Sequence, residues 1–473
     1  MRDRFWRALH IAPICLALFG SVSPALSQTT TGQPGSSPTQ VAVSGPQLRV
    51  LAQQAVLSGR YQLALDMAVA LLESDPHDRT ALIVIAAAAP RAGYIRDGFR
   101  AATQAYRVSD TSEQKYEAAR LAALAAYSEE RFAVAQFWLR RAAAHAPSEQ
   151  QAAENARDFG RIRSQNPLSV QLQFGVTPSS NLNGGSSEAV NIIEGVPLVG
   201  SLSGDAQALS GYAATANVSL RYRLDRSENA ATYVNSRLYR RQVWLSQDAQ
   251  ELSPDSENGD FASTYGELEL MHVRRSGDGI LTGGLSYGQS WFGGEQQFSF
   301  VRMRAQRQTP LENERFSLSY GGSYELRWAP DQDGVYSQTT KLDVSLGHQT
   351  EAGQHLSYGL FLQNVDATNS NADARSYRAQ ISYAPAQNVG PAQMRFSLGH
   401  EWLHFDDYAV GFIAVPGGRL DKRLYGSAEF MFTDYDYAGF APVITIAASQ
   451  SDSNVSRFER SEFSVGLSFR STF

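Results

Sequence analysis

The chain has 473 residues, with 41 Lys and Arg against 47 Asp and Glu, a formal net charge of −6 and a pI near 5.8. That balance gives no electrostatic footing for nucleic acid, and the length allows two or three domains. The single cysteine, Cys15, lies in an amino-terminal apolar run. A chain cleaved after that run has no thiol for disulfides, catalysis or metal binding.

Residues 1–27 read as a secretory signal peptide. Arg2, Arg4 and Arg7 precede an apolar stretch over 8–20, and Ala25-Leu26-Ser27 supplies small residues for cleavage. Residues 28–46 are Thr, Gly, Ser, Pro and Gln with little to bury, which predicts a flexible linker.

Over 47–165 the composition turns to Ala, Leu, Arg and Gln, with helical spacing. Leu48, Leu51, Ala52, Ala55, Gly59, Tyr61, Ala64, Ala68, Leu71 and Pro76 follow a tetratricopeptide pattern. Leu82, Ile85, Ala86, Ala89, Gly93, Ile95, Ala102 and Ala105 repeat it about 34 residues on. Ala119, Ala122, Ala123, Ala126, Phe132, Ala135, Leu139, Ala142 and Pro147 form a third unit, three residues further apart, and a helix over about 149–164 caps the stack. Such stacks present a curved groove to a protein partner. Arg91, Arg96, Arg100, Arg140 and Arg141 are candidates for that contact or a solvated helix face.

From 166 to 473 the period is two. Fourteen runs alternate: 168–177, 212–224, 231–245, 259–273, 279–292, 297–308, 314–328, 336–350, 354–365, 373–384, 392–405, 419–433, 440–450 and 458–473. Most are long enough to cross a bilayer on a tilt, and their number is even. Every long intervening segment (178–211, 246–258, 406–418) falls at one end and the segments at the other end (among them 225–230, 274–278 and 351–353) are uniformly short, as expected of a membrane barrel with long loops at one end. Trp244, Trp291, Trp328 and Trp402 all fall on the apolar parity near that end, where an aromatic girdle belongs. The predicted fold is therefore a TPR-like α-solenoid followed by a 14-stranded antiparallel transmembrane β-barrel. The runs 231–245 and 297–308 alternate poorly and are the weakest strands by pattern.

Phe463, Val465, Leu467, Phe469 and Phe473 alternate with Ser464, Gly466, Ser468, Arg470 and Thr472. An apolar strand ending on an aromatic residue reads as a signal for the barrel assembly machinery, with its greasy face against outer-membrane lipid. The lumen parity mixes Arg221, Arg223, Lys341 and Arg395 with Glu325, Asp343 and Glu401. Within 178–211 the stretch 192–199 is apolar for an exposed loop; it folds into the lumen as a plug or packs over the mouth. No nucleophile elbow, phosphate loop or clustered histidines mark an enzyme, a cofactor or a metal site.

A signal peptide, a short repeat stack and a fourteen-strand barrel resemble the surface lipoprotein assembly modulator family. The local likeness lies at 174–183, where Ser180, Asn181 and Asn183 match that family's Ser-Asn-x-Asn entry to the barrel. Short amides there suit a tight turn that satisfies nearby backbone. The resemblance implies an outer-membrane translocon that passes a client lipoprotein or secreted protein from the periplasm, with the repeats holding the client or a periplasmic chaperone. A polysaccharide export porin and a passive porin are the alternatives.

Overall fold

The computed structural model describes residues 43–471 apart from 197–198, 312–314, 332 and 436–438. The expected signal peptide, most of the linker and the terminal Phe473 lie outside the described residues.

Seven helices come first: α1 Gly45–Leu57, α2 Tyr61–Ser74, α3 Arg79–Ala88, α4 Ile95–Arg107, α5 Ser112–Ser128, α6 Phe132–Ala143 and α7 Glu149–Gln165. α2 and α4 start 34 residues apart, and α6 starts three residues later than that period would place it. α3, α5 and α7 each begin on a side-chain cap. Asp78 accepts from the Ala81 amide, Thr111 forms a capping box with Gln114, and Ser148 accepts from Gln151.

α2, α4 and α6 begin without a side-chain cap, two residues after a residue of positive φ: Gly59 at 75°, Gly93 at 95° and Glu130 at 59°. The third repeat thus forces a glutamate into the conformation glycine takes in the first two. The core between helices is mostly alanine, with Ala102, Ala105, Ala118, Ala119, Ala122, Ala126, Ala135 and Ala142 fully buried. Small side chains let the backbones approach closely. Trp138 joins this core edge-on to Phe99, Tyr106 and Phe137.

Fourteen strands then close into one antiparallel barrel. They are β1 Leu168–Ser179, β2 Gly211–Arg226, β3 Ala230–Leu245, β4 Ser263–Ser276, β5 Gly279–Phe292, β6 Glu295–Leu311 and β7 Phe316–Trp328. β8 Ser337–Gln349, β9 His355–Ala367, β10 Ala374–Ala384, β11 Gln393–Phe405, β12 Arg419–Met431, β13 Phe440–Ser453 and β14 Arg460–Ser471 complete the circuit. Each strand pairs with its sequence neighbours, and β1 closes on β14 with Phe174 opposite Phe469 and Val176 opposite Leu467. Closure leaves no unpaired edge, the condition for a sheet in lipid. No described helix is long and apolar enough to cross a membrane, which says nothing against strands doing so.

Register decides which side chains face out. Leu220, Leu238, Leu268, Leu285, Leu342, Leu360, Leu398 and Leu467 are 40–63% exposed, on the face away from the lumen. An apolar belt this extensive around a closed sheet is the surface of an outer-membrane barrel, not of a soluble one. Trp244, Trp291, Trp328 and Trp402 share that outward parity near the loop-bearing ends of β3, β5, β7 and β11. In β14, Phe463, Val465, Leu467 and Phe469 also face out.

Two strand expectations need correction. Strand β4 begins at Ser263, because residues 258–261 form a 3₁₀ turn that buries Phe261. Likewise β14 begins at Arg460, because a turn over 456–458 aims Phe458 at an arginine at the barrel mouth. β3 and β6 form despite their poor alternation. Their lumen faces carry apolar residues with other work: Val243 packs beneath a distal loop, while Phe298 and Phe300 carry Arg327 and Arg302.

Candidate functional site: the barrel lumen and its distal mouth

The site is the inside of the cylinder and the loops at the end away from the helices. Part of the inner wall is two side chains thick. On β5 the lumen-facing residues are Gly284, Ser286 and Gly288. Across this strip of small residues, Glu267 and Glu269 of β4 meet Arg302 and Arg304 of β6. A side chain at Gly284 would run into the Glu269 carboxylate, and one at Gly288 into the Phe300 ring, so the glycines make room for the bridge. Glu325 of β7 is 2% exposed and accepts from both Arg302 and Arg327, each at 2.6 Å. Arg302 also rides over Phe300, whose ring stacks on Tyr265. Arg470 and Glu429 make a separate bidentate pair between β14 and β12.

Between β1 and β2, residues 180–210 form the longest loop. Asn181 is 6% exposed; its amide donates to the Gly185 carbonyl at 2.8 Å and accepts from the Gly185 N–H at 2.9 Å. Ser180 Oγ accepts from the Phe463 amide of β14 at 3.4 Å. Asn183 accepts from the Gly185 amide at 3.2 Å and also works at longer range. It donates to the carbonyls of Asp205 and Gln207 at 2.8 and 2.7 Å and accepts from the Leu209 amide at 2.9 Å, tying the two ends of the loop together. Gly185 lies so close to Gln207 that a Cβ there would overlap its carbonyl.

The loop reaches from one flank of β1 to the other. On the β2–β4 side, Leu182 and Leu209 pack with Ala213, Val243, Leu245, Ala249 and Phe261, and Arg241 donates to the Leu182 carbonyl at 2.8 Å. On the β11–β13 side, Ile193 is 3% exposed among Phe405, Tyr408, Val415 and Val455. Of the apolar stretch expected to plug or cover the mouth, Ile193 and Val196 pack in this cluster, whereas Ile192 and Val199 are exposed. Residues 197–198 lie outside the described residues. The loop thus both enters the outer lumen and crosses the rim.

Arg419 fastens this side. It forks onto Asp421 and is ringed by Phe405, Tyr408 and Phe458. Beside it a cavity of about 190 Å³ opens among Asn181, Glu401, Asp421, Arg423 and Arg460. Glu459, in the last loop, has its carboxyl pushed above the usual range by burial and by Glu188, Asp452 and Glu194.

In the helical repeats, successive A-type helices are linked by one repeating ion pair. Arg49 of α1 binds Asp78 ahead of α3, Arg79 of α3 binds Glu117 of α5, and Arg120 of α5 binds Asp158 of α7, each at 2.7 Å. These residues hold the stack together. The arginines singled out for partner contact are also engaged. Arg141 lies over Tyr106, Phe137 and Trp138, Arg140 over Phe159 and Arg91 over Tyr61. Arg96 meets Glu129, and Arg100 meets Asp97.

The interlocking lumen pairs and the Arg419 cage escaped sequence reading, because each joins residues whose proximity depends on register. One signal was present: Glu-x-Glu on one strand and Arg-x-Arg two strands on, with Gly-x-Ser-x-Gly between, which runs along the middle of β5 and not over the strand-to-helix turn of a nucleophile elbow.

No protein-family model matches the chain, and no curated protein matches it by sequence. Solved structures match its two parts separately. The type III secretion translocator chaperone SycD of Yersinia enterocolitica aligns at 17% identity, covering 26% of this chain and 88% of its own, with a TM-score of 0.24. OccAB3 of Acinetobacter baumannii aligns at 7% identity over 64% of this chain and 98% of its own, with a TM-score of 0.36. A bacterial polysaccharide outer-membrane secretin aligns at 8% identity over 64% of this chain and 98% of its own, with a TM-score of 0.31. The class of protein, an outer-membrane β-barrel bearing TPR-like repeats, is defined by the closed sheet and the helical period themselves.

Proposed function

We propose that this chain is a translocon of the outer membrane. A client lipoprotein or secreted protein is received on the helical repeats in the periplasm and leaves through the barrel. The observation that carries this reading is the direct succession of repeats and barrel. α7 ends at Gln165 and β1 starts at Leu168. The junction is stiffened by Asn166, which accepts from the Leu168 amide and donates to Gln136 of α6, and by Arg223 of β2, which donates to the Gln165 carbonyl. A client or chaperone held on the stack is thereby kept beside the proximal opening. A passive porin has no use for such an arrangement.

The Ser180–Asn181–Asn183 segment supports the same reading through a role in positioning the distal loop, which must yield for a polypeptide to leave. No nucleotide is available in the periplasm, so transfer draws on client folding outside and on contacts along the wall. β14, with Phe463, Val465, Leu467, Phe469 and Phe473, serves insertion by the barrel assembly machinery.

The test is surface delivery. Client exposure on intact cells, read by protease shaving, falls when the gene is deleted and returns with the intact chain. A photo-crosslinking residue at the exposed Leu51 on α1 captures client or chaperone. Unchanged client exposure in the deletion strain contradicts the proposal.

A further inference from the structure

The charge facing the lumen has the opposite sign to the charge of the chain. The protein carries a net −6. Among the lumen-facing carboxylates of the described strands, Glu267, Glu269, Glu325, Asp421 and Glu429 are each held by an arginine. Asp343, Glu401 and Glu462 have no such partner.

Arg221, Arg237, Lys341, Arg378, Arg395 and Arg423 share the lumen parity, and among the described residues none forms an ion pair. Their hydrogen-bond partners are neutral, while Glu269 lies near Arg221, Glu325 near Lys341 and Glu429 near Arg395, and Glu401 stands opposite both Arg378 and Arg423 in register. Arg221 donates to Asn235 at 3.1 Å, Arg237 to Asn217 at 3.1 Å and Arg423 to Ser449 at 3.2 Å, while Arg378 lies over Phe361. A guanidinium has five N–H donors, and one neutral acceptor leaves most of them unanswered. Arg221 and Arg237 sit on β2 and β3, and Arg378 on β10 lies about half the strand circuit away. These six cations outnumber the three carboxylates left without an ion pair, and they stand on opposed walls.

We infer that the lumen is an anion-selective passage, and that the segments it admits are rich in carboxylates. A surplus of fixed positive charge between low-dielectric walls concentrates anions and repels cations along the whole path. This rests on the reading of the barrel as a passage for protein, and it adds the chemical class of what passes: acidic polypeptide segments.

The experiment is the reversal potential of the full chain, reconstituted in planar bilayers under a KCl gradient. It is repeated after removal of residues 187–201 from the distal loop. The expected result is a potential of anion-selective sign, with chloride favoured over potassium by about threefold or more, as steering by fixed charge allows. Replacing Arg221, Arg237 and Arg378 together with Glu reverses the sign. The single changes Arg221→Gln and Arg237→Gln each reduce the ratio and guard against a triple variant that fails to insert. Added polyglutamate blocks the current of the loop-shortened form more strongly than a polyuronate does. A cation-selective or zero potential, or one unmoved by these changes, overturns the inference while leaving the passage reading intact. Stronger block by polyuronate overturns the polypeptide assignment. Absence of current in both forms overturns the passage reading itself.

Discussion

Replacing Asn183 with Ala loosens the distal loop without touching the barrel wall. The side chain joins the two ends of the loop through three backbone partners, the carbonyls of Asp205 and Gln207 and the amide of Leu209. Each such bond contributes a net ~1 kcal/mol, so the variant loses roughly 3 kcal/mol of loop closure. With 1.36 kcal/mol per decade, local opening becomes on the order of a hundredfold more frequent. Amide hydrogen exchange reads this directly. The Leu182, Ser186 and Ala208 amides donate across the loop to Leu209, Ala206 and Ser186. They exchange about a hundredfold faster in Asn183→Ala if closure limits their exchange, while amides of β8 and β9 are unchanged. Exchange at these three amides within twofold of the parent refutes a fastening role for Asn183. Equal acceleration in β8 and β9 shows that the variant acts globally instead.

Three further predictions test other parts of the molecule. Glu130→Gly relieves a positive φ of 59° and raises the unfolding free energy of the helical repeats by about 1 kcal/mol, read by thermal or urea denaturation followed by circular dichroism. His145 faces Tyr106, Ser112, Lys115 and Arg141, and its imidazole is held below the usual range first by burial and then by Lys115 and Arg141. A lowered pKa means that the unfolded chain binds the proton more readily. The repeats therefore lose stability as pH falls through the ordinary histidine range, and the fall between pH 7 and pH 5 is smaller in His145→Gln. Leu467→Arg puts a charge on the lipid face at a cost of roughly 2–4 kcal/mol near the bilayer midplane. It lowers the yield of folded, heat-modifiable barrel on gels, whereas Ser468→Arg, facing the lumen, does not.

The strands were legible because a barrel in lipid with a watery lumen demands strict period two, and a membrane fixes their minimum length. All fourteen runs correspond to strands. The boundary errors fell where an apolar residue serves a loop: Phe261 beneath Leu182, and Phe458 against Arg419. The helical period was legible through alanine and through Gly59 and Gly93, but Glu130 carried no mark of the conformation it takes. Composition alone hid the work of the charges. Arg49, Arg79 and Arg120 carry no mark in the sequence, yet each closes on an acid in the next A-type unit. Asn183 reads as a local turn residue and does accept from the Gly185 amide, but its other partners lie more than twenty residues away, a distance no turn rule covers.

Site-directed spin labelling in lipid vesicles tests most directly whether the fourteen strands enclose a wet lumen and turn a greasy face to the bilayer. Labels replace Leu342, Val344 and Leu467, which face out, and their neighbours Asp343, Ser345 and Ser468, which face in. The structure predicts that the first group relaxes with dissolved oxygen and the second with a water-soluble nickel complex, alternating residue by residue. Uniform access to the nickel complex, or no alternation along β8 and β14, contradicts it.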